Sequence, residues 1–190
     1  MKISICVAFM LSFTGCGSSP STAYYALAAV SGTMRQASLG TIEVRRPGVA
    51  GYLDRAEIIT AWDGYRLRLS QTECWGEPIA PMIGRVLAHD LTDRLRGTVV
   101  FSASSDLSMQ ASTVVELAIW KFDLDRDGSI HLDALALVRG SGREATHAIA
   151  LRTRPATMDT SAVVAAMSSL LGQLADEIST VLIARGANGL

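Results

Sequence analysis

The chain has 190 residues, 49% of them hydrophobic and 18% charged, with 17 Lys and Arg against 18 Asp and Glu for a net charge of -1. The length fits one domain with a sizeable core, and the composition excludes intrinsic disorder, which needs low hydrophobicity and high charge. The charge balance argues against a dedicated nucleic-acid binder, which needs a basic excess to neutralise phosphate.

The first element is a leader. Lys2 precedes an almost unbroken apolar stretch over residues 3–13, too short to span a bilayer and of the length of a signal-peptide core. Phe13-Thr14-Gly15-Cys16 follows, and then a Gly/Ser/Pro-rich stretch. Small residues before a cysteine and a polar tether after it are the pattern of a bacterial lipobox, with Phe13 where leucine is usual; the alternative is an ordinary secretory signal cleaved nearby. The thiol of Cys16 is the atom that takes the diacylglyceryl group, after which the leader is cut and the new amine acylated. Several acyl chains make a stable anchor, at about 0.8 kcal/mol per buried CH2. Gly17, with no aspartate after the lipidated cysteine, points to the periplasmic face of the outer membrane. The expected organisation is a signal peptide over 1–15, the lipidated cysteine and tether over 16–23, and one domain over 24–190. Of the three cysteines, Cys6 leaves with the leader and Cys16 becomes a thioether, so only Cys74 keeps a thiol. That excludes an intramolecular disulfide and a zinc site built on several thiolates, and leaves Cys74 as a small buried hydrophobe.

The mature chain turns apolar and strand-like at Tyr24-Tyr25-Ala26-Leu27, and residues 31–38 read as a polar loop. Residues 41–45 alternate as a strand ended by Pro47-Gly48; residues 57–62 and 65–70 form a hairpin about Asp63-Gly64. Pro78 opens a helix whose apolar stripe runs Ile79, Ile83, Val86, Leu87, Leu91 and Leu95, with Arg85, Asp90, Asp93 and Arg94 off it and Gly97 as its stop. A short strand at 99–101 and a Ser-rich loop over 102–111 lead to three strands at 113–124, 129–138 and 143–152. In the first of these the alternation sets Ala118, Trp120, Phe122 and Leu124 on one face. Asp159 or Thr160 caps a long final helix with a continuous apolar face from Val163 to Leu182, ended by Gly186. No internal repeat or linker interrupts this order, so the fold class is α/β: one domain with a mixed β-sheet, helices against it, and a long C-terminal helix.

Asp123-x-Asp125-x-Asp127-Gly128 resembles the opening of an EF-hand loop, but the twelfth position is Ala134 where a bidentate Glu is needed, and the flanks alternate as strands. These carboxylates therefore read as turn residues of a hairpin, and no calcium is expected. His89, His131 and His147 form no metal-ligand spacing, no Gly-x-Ser-x-Gly elbow or phosphate loop occurs, and Gly140-x-Gly142 joins two strands. No catalytic pair, metal or other cofactor is expected. Tyr52-Leu53-Asp54-Arg55 and Trp75-Gly76-Glu77-Pro78-Ile79 instead set aromatic and charged residues at element boundaries. Tyr52, Leu53, Arg55 and Trp75 have the composition of an interface hot spot; the same aromatics serve equally to cover a core edge.

In order along the chain, the lipobox, Tyr24-Tyr25-x-Leu27, Tyr52-Leu53-Asp54-Arg55, Trp75-x-Glu77-Pro78-Ile79, the helix with Arg85, Leu87 and Leu95, Phe122-Asp123 before a hairpin carrying Leu132 and Ala134, and a long final helix resemble the ABC-type transport auxiliary lipoproteins, the PqiC-like family. Pro47 stands earlier than the proline usual near the Tyr-Leu-Asp-Arg stretch, and Ala136 or Leu137 stands where an aromatic is common. The resemblance implies a three-layer α/β domain without ATPase activity. It implies an outer-membrane component of an MCE-type lipid-transport system that supports membrane integrity. Its partners would be a periplasmic MCE protein and an inner-membrane transporter component, with Tyr52, Leu53, Arg55 and Trp75 on the contact with the MCE partner or with a second copy of the chain. The rival classes are a scaffolding lipoprotein of envelope assembly and a periplasmic hydrolase, the latter needing a nucleophile and base that no motif here supplies.

Overall fold

A computed structural model describes residues 21–63, 65–103, 109–140 and 143–187. The leader, Cys16, Gly17, the hairpin glycine Gly64, most of the Ser-rich loop and the Ser141-Gly142 turn lie outside the described residues.

The elements run β1 (Ala23–Tyr25), β2 (Arg35–Gln36), β3 (Thr41–Val44), β4 (Gly48–Val49), β5 (Glu57–Asp63), β6 (Arg66–Trp75), α1 (Ile79–Arg94), β7 (Leu95–Arg96), β8 (Val99–Ser102), β9 (Thr113–Leu124), β10 (Ile130–Gly140), β11 (Arg143–Thr153) and α2 (Thr160–Ala187). The main sheet has the order β11-β10-β9-β3-β8, with β4 also paired to β9. Its β9–β10–β11 part is antiparallel and β3 pairs parallel with both β8 and β9, so the sheet is mixed as expected. A second sheet has the order β1-β6-β5, and β2 pairs with β7.

Alternation explains the main sheet. Ile130, Leu132, Ala134, Ala136 and Val138 of β10 are all buried, and their neighbours on the strand are not. On β9 the same face holds Val115, Leu117 and Ile119, and then Phe122 and Leu124. Ala134 pairs with Ile119 while Asp133 pairs with Lys121, so Trp120 is an extra residue in a bulge. The bulge corrects the strictly alternating expectation that set Ala118 and Trp120 on one face with Phe122 and Leu124: Trp120 is 55% exposed, and only Phe122 and Leu124 turn inward.

Both helices pack against this sheet and against each other, α1 near β3 and β8 and α2 along β9, β10 and β11. Pro78 stands just before α1, where its missing N–H costs nothing. Asp159 caps α2, its Oδ1 accepting the Ala162 N–H at 3.0 Å. The apolar faces of both helices, the inner face of the sheet, and Ile58, Ile59 and Trp75 of the smaller sheet form one core. α2 is 28 residues long, yet no helix among the described residues is long and apolar enough to cross a membrane.

The polar side of α1 departs from the sequence reading. Asp90 and Arg94, expected off the apolar stripe, are 0% and 1% exposed. The segment at 28–32 and α2 cover that side of the helix, which leaves a stripe through Arg85, His89 and Thr92 exposed. The Arg94 guanidinium reaches Asp176 on α2 (Nε to Oδ1, 2.7 Å), the Gly172 carbonyl (3.0 Å), the Val30 carbonyl (2.8 Å) and the Asp90 carbonyl one turn back (3.0 Å). The Asp90 carboxylate accepts the Val30 N–H at 2.7 Å through Oδ1; Oδ2 is buried with no hydrogen-bond partner among the described residues.

Burial therefore pushes the Asp90 carboxyl up to about 6, against the Val30 N–H and the Arg94 charge, which both favour its ionised form. A carboxyl whose pKa is raised on folding adds stability while it is protonated in the folded state, and that gain is lost as pH rises through its folded value. Between about pH 4 and pH 6 ionisation of Asp90 thus works against the fold, by up to roughly 3 kcal/mol at about 1.4 kcal/mol per pH unit. Asp90→Asn keeps an acceptor for Val30 and removes the titration. Its melting temperature relative to the parent is expected to climb between pH 4.5 and pH 7.5; a difference flat with pH would refute this account of Asp90.

Candidate functional site

The segment at 50–55 is shaped by its own backbone. Ala50 donates its N–H to Ile119 at the bulge (2.9 Å), Leu53 donates back to Ala50 (2.8 Å), and Arg55 to Leu53 (2.9 Å). The first bond ties the segment to β9, and the two reverse bonds coil it there. The Arg55 guanidinium closes the coil, its Nε donating to the Tyr52 carbonyl at 2.7 Å. From β6, Trp75 donates its N–H to Ala56 at 2.7 Å, which joins the end of that strand to the same segment.

The structure brings the four sequence-predicted residues together, at different depths. Leu53 is 2% and Trp75 7% exposed, and both line one small cavity with Ile58, Ile79, Phe122 and Met167, its polar lining being Glu57 and Asp123. Tyr52 and Arg55 are half-buried and hold the outer layer. The cluster is thus a short surface coil seated on two core side chains, with Tyr52 and Arg55 as its outer part.

Asp123 departs from the motif. The sequence pattern groups it with Asp125 and Asp127 as a turn carboxylate, but it is 2% exposed and accepts the Tyr52 hydroxyl at 2.6 Å. The signal for this was the broken alternation at Lys121-Phe122-Asp123, which shows only when the bulge at Trp120 is seen. Burial pushes the Tyr52 hydroxyl far above the ordinary phenol range, and the Asp123 carboxylate it donates to pushes the same way. Tyr52 therefore stays neutral and acts as a fixed donor, a positioning contact and not a proton carrier.

The other two carboxylates of the motif face their own partners. Asp125 takes Lys121 at 2.8 Å, and that hydrogen bond holds its carboxyl below the usual range. Asp127 accepts the Ser129 N–H at 2.9 Å and the Ser129 hydroxyl, with the same effect. Gly128, at a φ of +76°, completes the turn between β9 and β10 in a conformation few side chains allow. The loop is a hairpin turn, as the alternating flanks indicate.

The histidines stand apart from one another: His89 near Asp93, His131 against Ser129 at 2.8 Å, and His147 of β11 against Glu177 of α2 at 2.8 Å. Cys74 is of intermediate exposure, short of the buried position expected for it, because β6 carries a widened bulge before it: Glu57 pairs with Cys74, but Ile59 already pairs with Leu69. The Glu77–Arg85 ion pair beside Trp75 is exposed and adds little stability.

The model of one family, described as the ABC-type transport auxiliary lipoprotein component, matches residues 25–179. Among solved structures, the chain is similar to a crystallised Xanthomonas campestris protein of the DUF330 family, 18% identical, with a TM-score of 0.71 over 87% of this chain and 98% of that one. It is also similar to a crystallised uncharacterized protein, 16% identical, with a TM-score of 0.71 over 85% of this chain and 99% of the other. Both likenesses concern the fold. No curated protein matches the chain.

Tyr52→Phe removes a donor from a buried carboxylate and changes little else. Leaving one partner of a buried hydrogen bond behind costs about 1–3 kcal/mol. The urea midpoint is expected to fall with an unchanged slope; a midpoint equal to the parent's would show that the 2.6 Å contact does not support the coil.

Proposed function

Because the chain belongs to the family of ABC-type transport auxiliary lipoprotein components, we propose that it is an outer-membrane lipoprotein, anchored through Cys16 on the periplasmic face, that serves an MCE-type lipid-transport system by binding its periplasmic MCE protein. The family match over residues 25–179 carries the reading. The lipobox supports the anchor: an apolar leader, small residues, a cysteine, and a tether leading to β1.

The binding role uses the coil at 50–55. Tyr52 and Arg55 offer an aromatic edge and a guanidinium at the surface, both fixed by hydrogen bonds before any partner arrives. Such preorganisation lowers the ordering cost of association. Leu53 and Trp75 hold the coil from below. The protein acts by presenting this surface and not by turning over a substrate, and a second copy of the chain is the alternative partner for it.

Two results test the reading. Cys16→Ala is expected to lose palmitate labelling and to leave the membrane fraction or remain as an uncleaved precursor; labelling equal to the parent's would refute the anchor. Arg55→Ala is expected to weaken capture of the MCE partner about thirtyfold, the effect of a hot spot worth about 2 kcal/mol. Thermal unfolding is measured on the same sample: a variant that melts early yet binds normally would assign Arg55 to the fold alone.

A further inference from the structure

We propose that the tip of the β5–β6 hairpin, at Tyr65 and Arg66, is a membrane-contact element that rests in the headgroup layer of the bilayer to which the chain is anchored. The inference rests on the anchored-lipoprotein reading above and goes beyond it by fixing which end of the domain meets the lipid.

The direction comes from strand pairing. β1 runs parallel to β6, with Ala23 opposite Glu73 and Tyr25 opposite Trp75. The chain therefore enters β1 from the side on which β6 begins, which is the side of the hairpin tip. The hairpin continues past Ala23 in that direction. Glu57 is opposite Cys74, so Ile58 is level with Ala23, and β5 runs five residues further to Asp63. At about 3.4 Å per residue the tip projects about 17 Å beyond the start of β1.

The tether sets the other length. Cys16 stands seven residues before Ala23, and seven residues reach at most about 25 Å when fully extended. The anchor can thus pass the hairpin tip by only about 8 Å, roughly the thickness of one headgroup layer. With the strands standing on the membrane, acyl chains on Cys16 cannot enter the bilayer without the tip arriving at its surface.

The residues at the tip suit that place. Tyr65 is fully exposed and Arg66 beside it is exposed. Tyrosine favours the membrane–water interface, where its apolar ring and polar edge are both satisfied. Arginine adds attraction to anionic headgroups. In water a wholly exposed tyrosine at a strand end packs on nothing; against lipid its ring has an apolar neighbour.

The test uses the full lipidated chain, with Cys74→Ala to leave one labelling site, in vesicles of phosphatidylethanolamine and phosphatidylglycerol containing shallow brominated lipid. A fluorophore on Tyr65→Cys is expected to be quenched at least twice as strongly as one on Met34→Cys, which is exposed next to the β2–β7 pair. Equal quenching at both sites, or none at Tyr65→Cys, would overturn the proposal. Palmitate incorporation is measured on the same protein. A lipidated chain with an unquenched tip overturns the hairpin contact alone, whereas a chain that takes no palmitate overturns the anchor and the contact together. Tyr65→Ser supplies a second reading: it is expected to reduce quenching of a label on Leu67→Cys while the melting temperature stays at the parent value. Unchanged quenching there would count against the tyrosine.

Discussion

A single buried guanidinium sets the relation between the parts of this fold. Arg94 sits at the end of α1 and is bonded to Val30, to Asp90 on its own helix, and to Gly172 and Asp176 on α2. A buried charge is tolerable only when it is paired and its donors are satisfied. Here the satisfaction comes from segments 64, 78 and 82 residues away in sequence. The site is also closed sterically. A Cβ on Gly32 would fall 2.3 Å from the guanidinium carbon, and one on Gly172 would stand 3.1 Å from Val30 and 3.4 Å from Arg94. The chain after β1 can lie against α1 and α2 only because side chains are missing there. That fixes the path of the chain from β1 onward, and with it the domain's geometry around the strand that the tether enters.

The same structure shows how a surface site is built from a core. The bulge at Trp120 turns Phe122 and Leu124 inward and brings Asp123 under Tyr52. β4 and Ala50 bind the edge of β9 at the bulge, which places the coil at 50–55 over the core. Trp75 comes to the same place because β6 ends where β1 ends, opposite Tyr25, and its N–H is taken by Ala56. A coil seated in this way inherits the rigidity of the sheet beneath it. Two solved structures share the fold at 16% and 18% identity. The fold thus persists through wide change in sequence.

What could be read from sequence follows from how local each signal is. Regular alternation located β10 and β11, the apolar stripe located both helices, and the Asp-Gly and Pro signals located their boundaries. The α/β class with its mixed sheet and long final helix followed from that order. Three features did not show. Asp90 and Arg94 read as the wet side of an amphipathic helix, because a single sequence does not reveal that a second helix and a loop will cover that side. The bulges in β6 and β9 shift the inside-outside phase by an odd residue, and the phase of a strand is otherwise its only guide. Tyr52, Leu53, Arg55 and Trp75 were found as a group by their composition, but composition is blind to depth. It could not separate the two that are core from the two that face outward.

The buried network has a further consequence for specificity. An apolar set of similar volume at Arg94 and its partners would seal the α1–α2 contact without any desolvation cost, and such replacements are often no less stable. Apolar helix faces, however, accept more than one alignment, since a slip along the axis exchanges one aliphatic contact for another. The Arg94 site accepts one. A slip of α2 by a turn, about 5.4 Å, would set Ser168 or Asp176 where Gly172 stands and press its Cβ against Val30 and the guanidinium. The present set of acceptors around the buried charge would be broken, which is strongly destabilising. The correct alignment carries its own penalty in the raised carboxyl of Asp90, so the fold gives up some stability near neutral pH to exclude the wrong one. If α2 could shift over the sheet, Met167 would shift with it, and Met167 lines the cavity on which Leu53 and Trp75 rest.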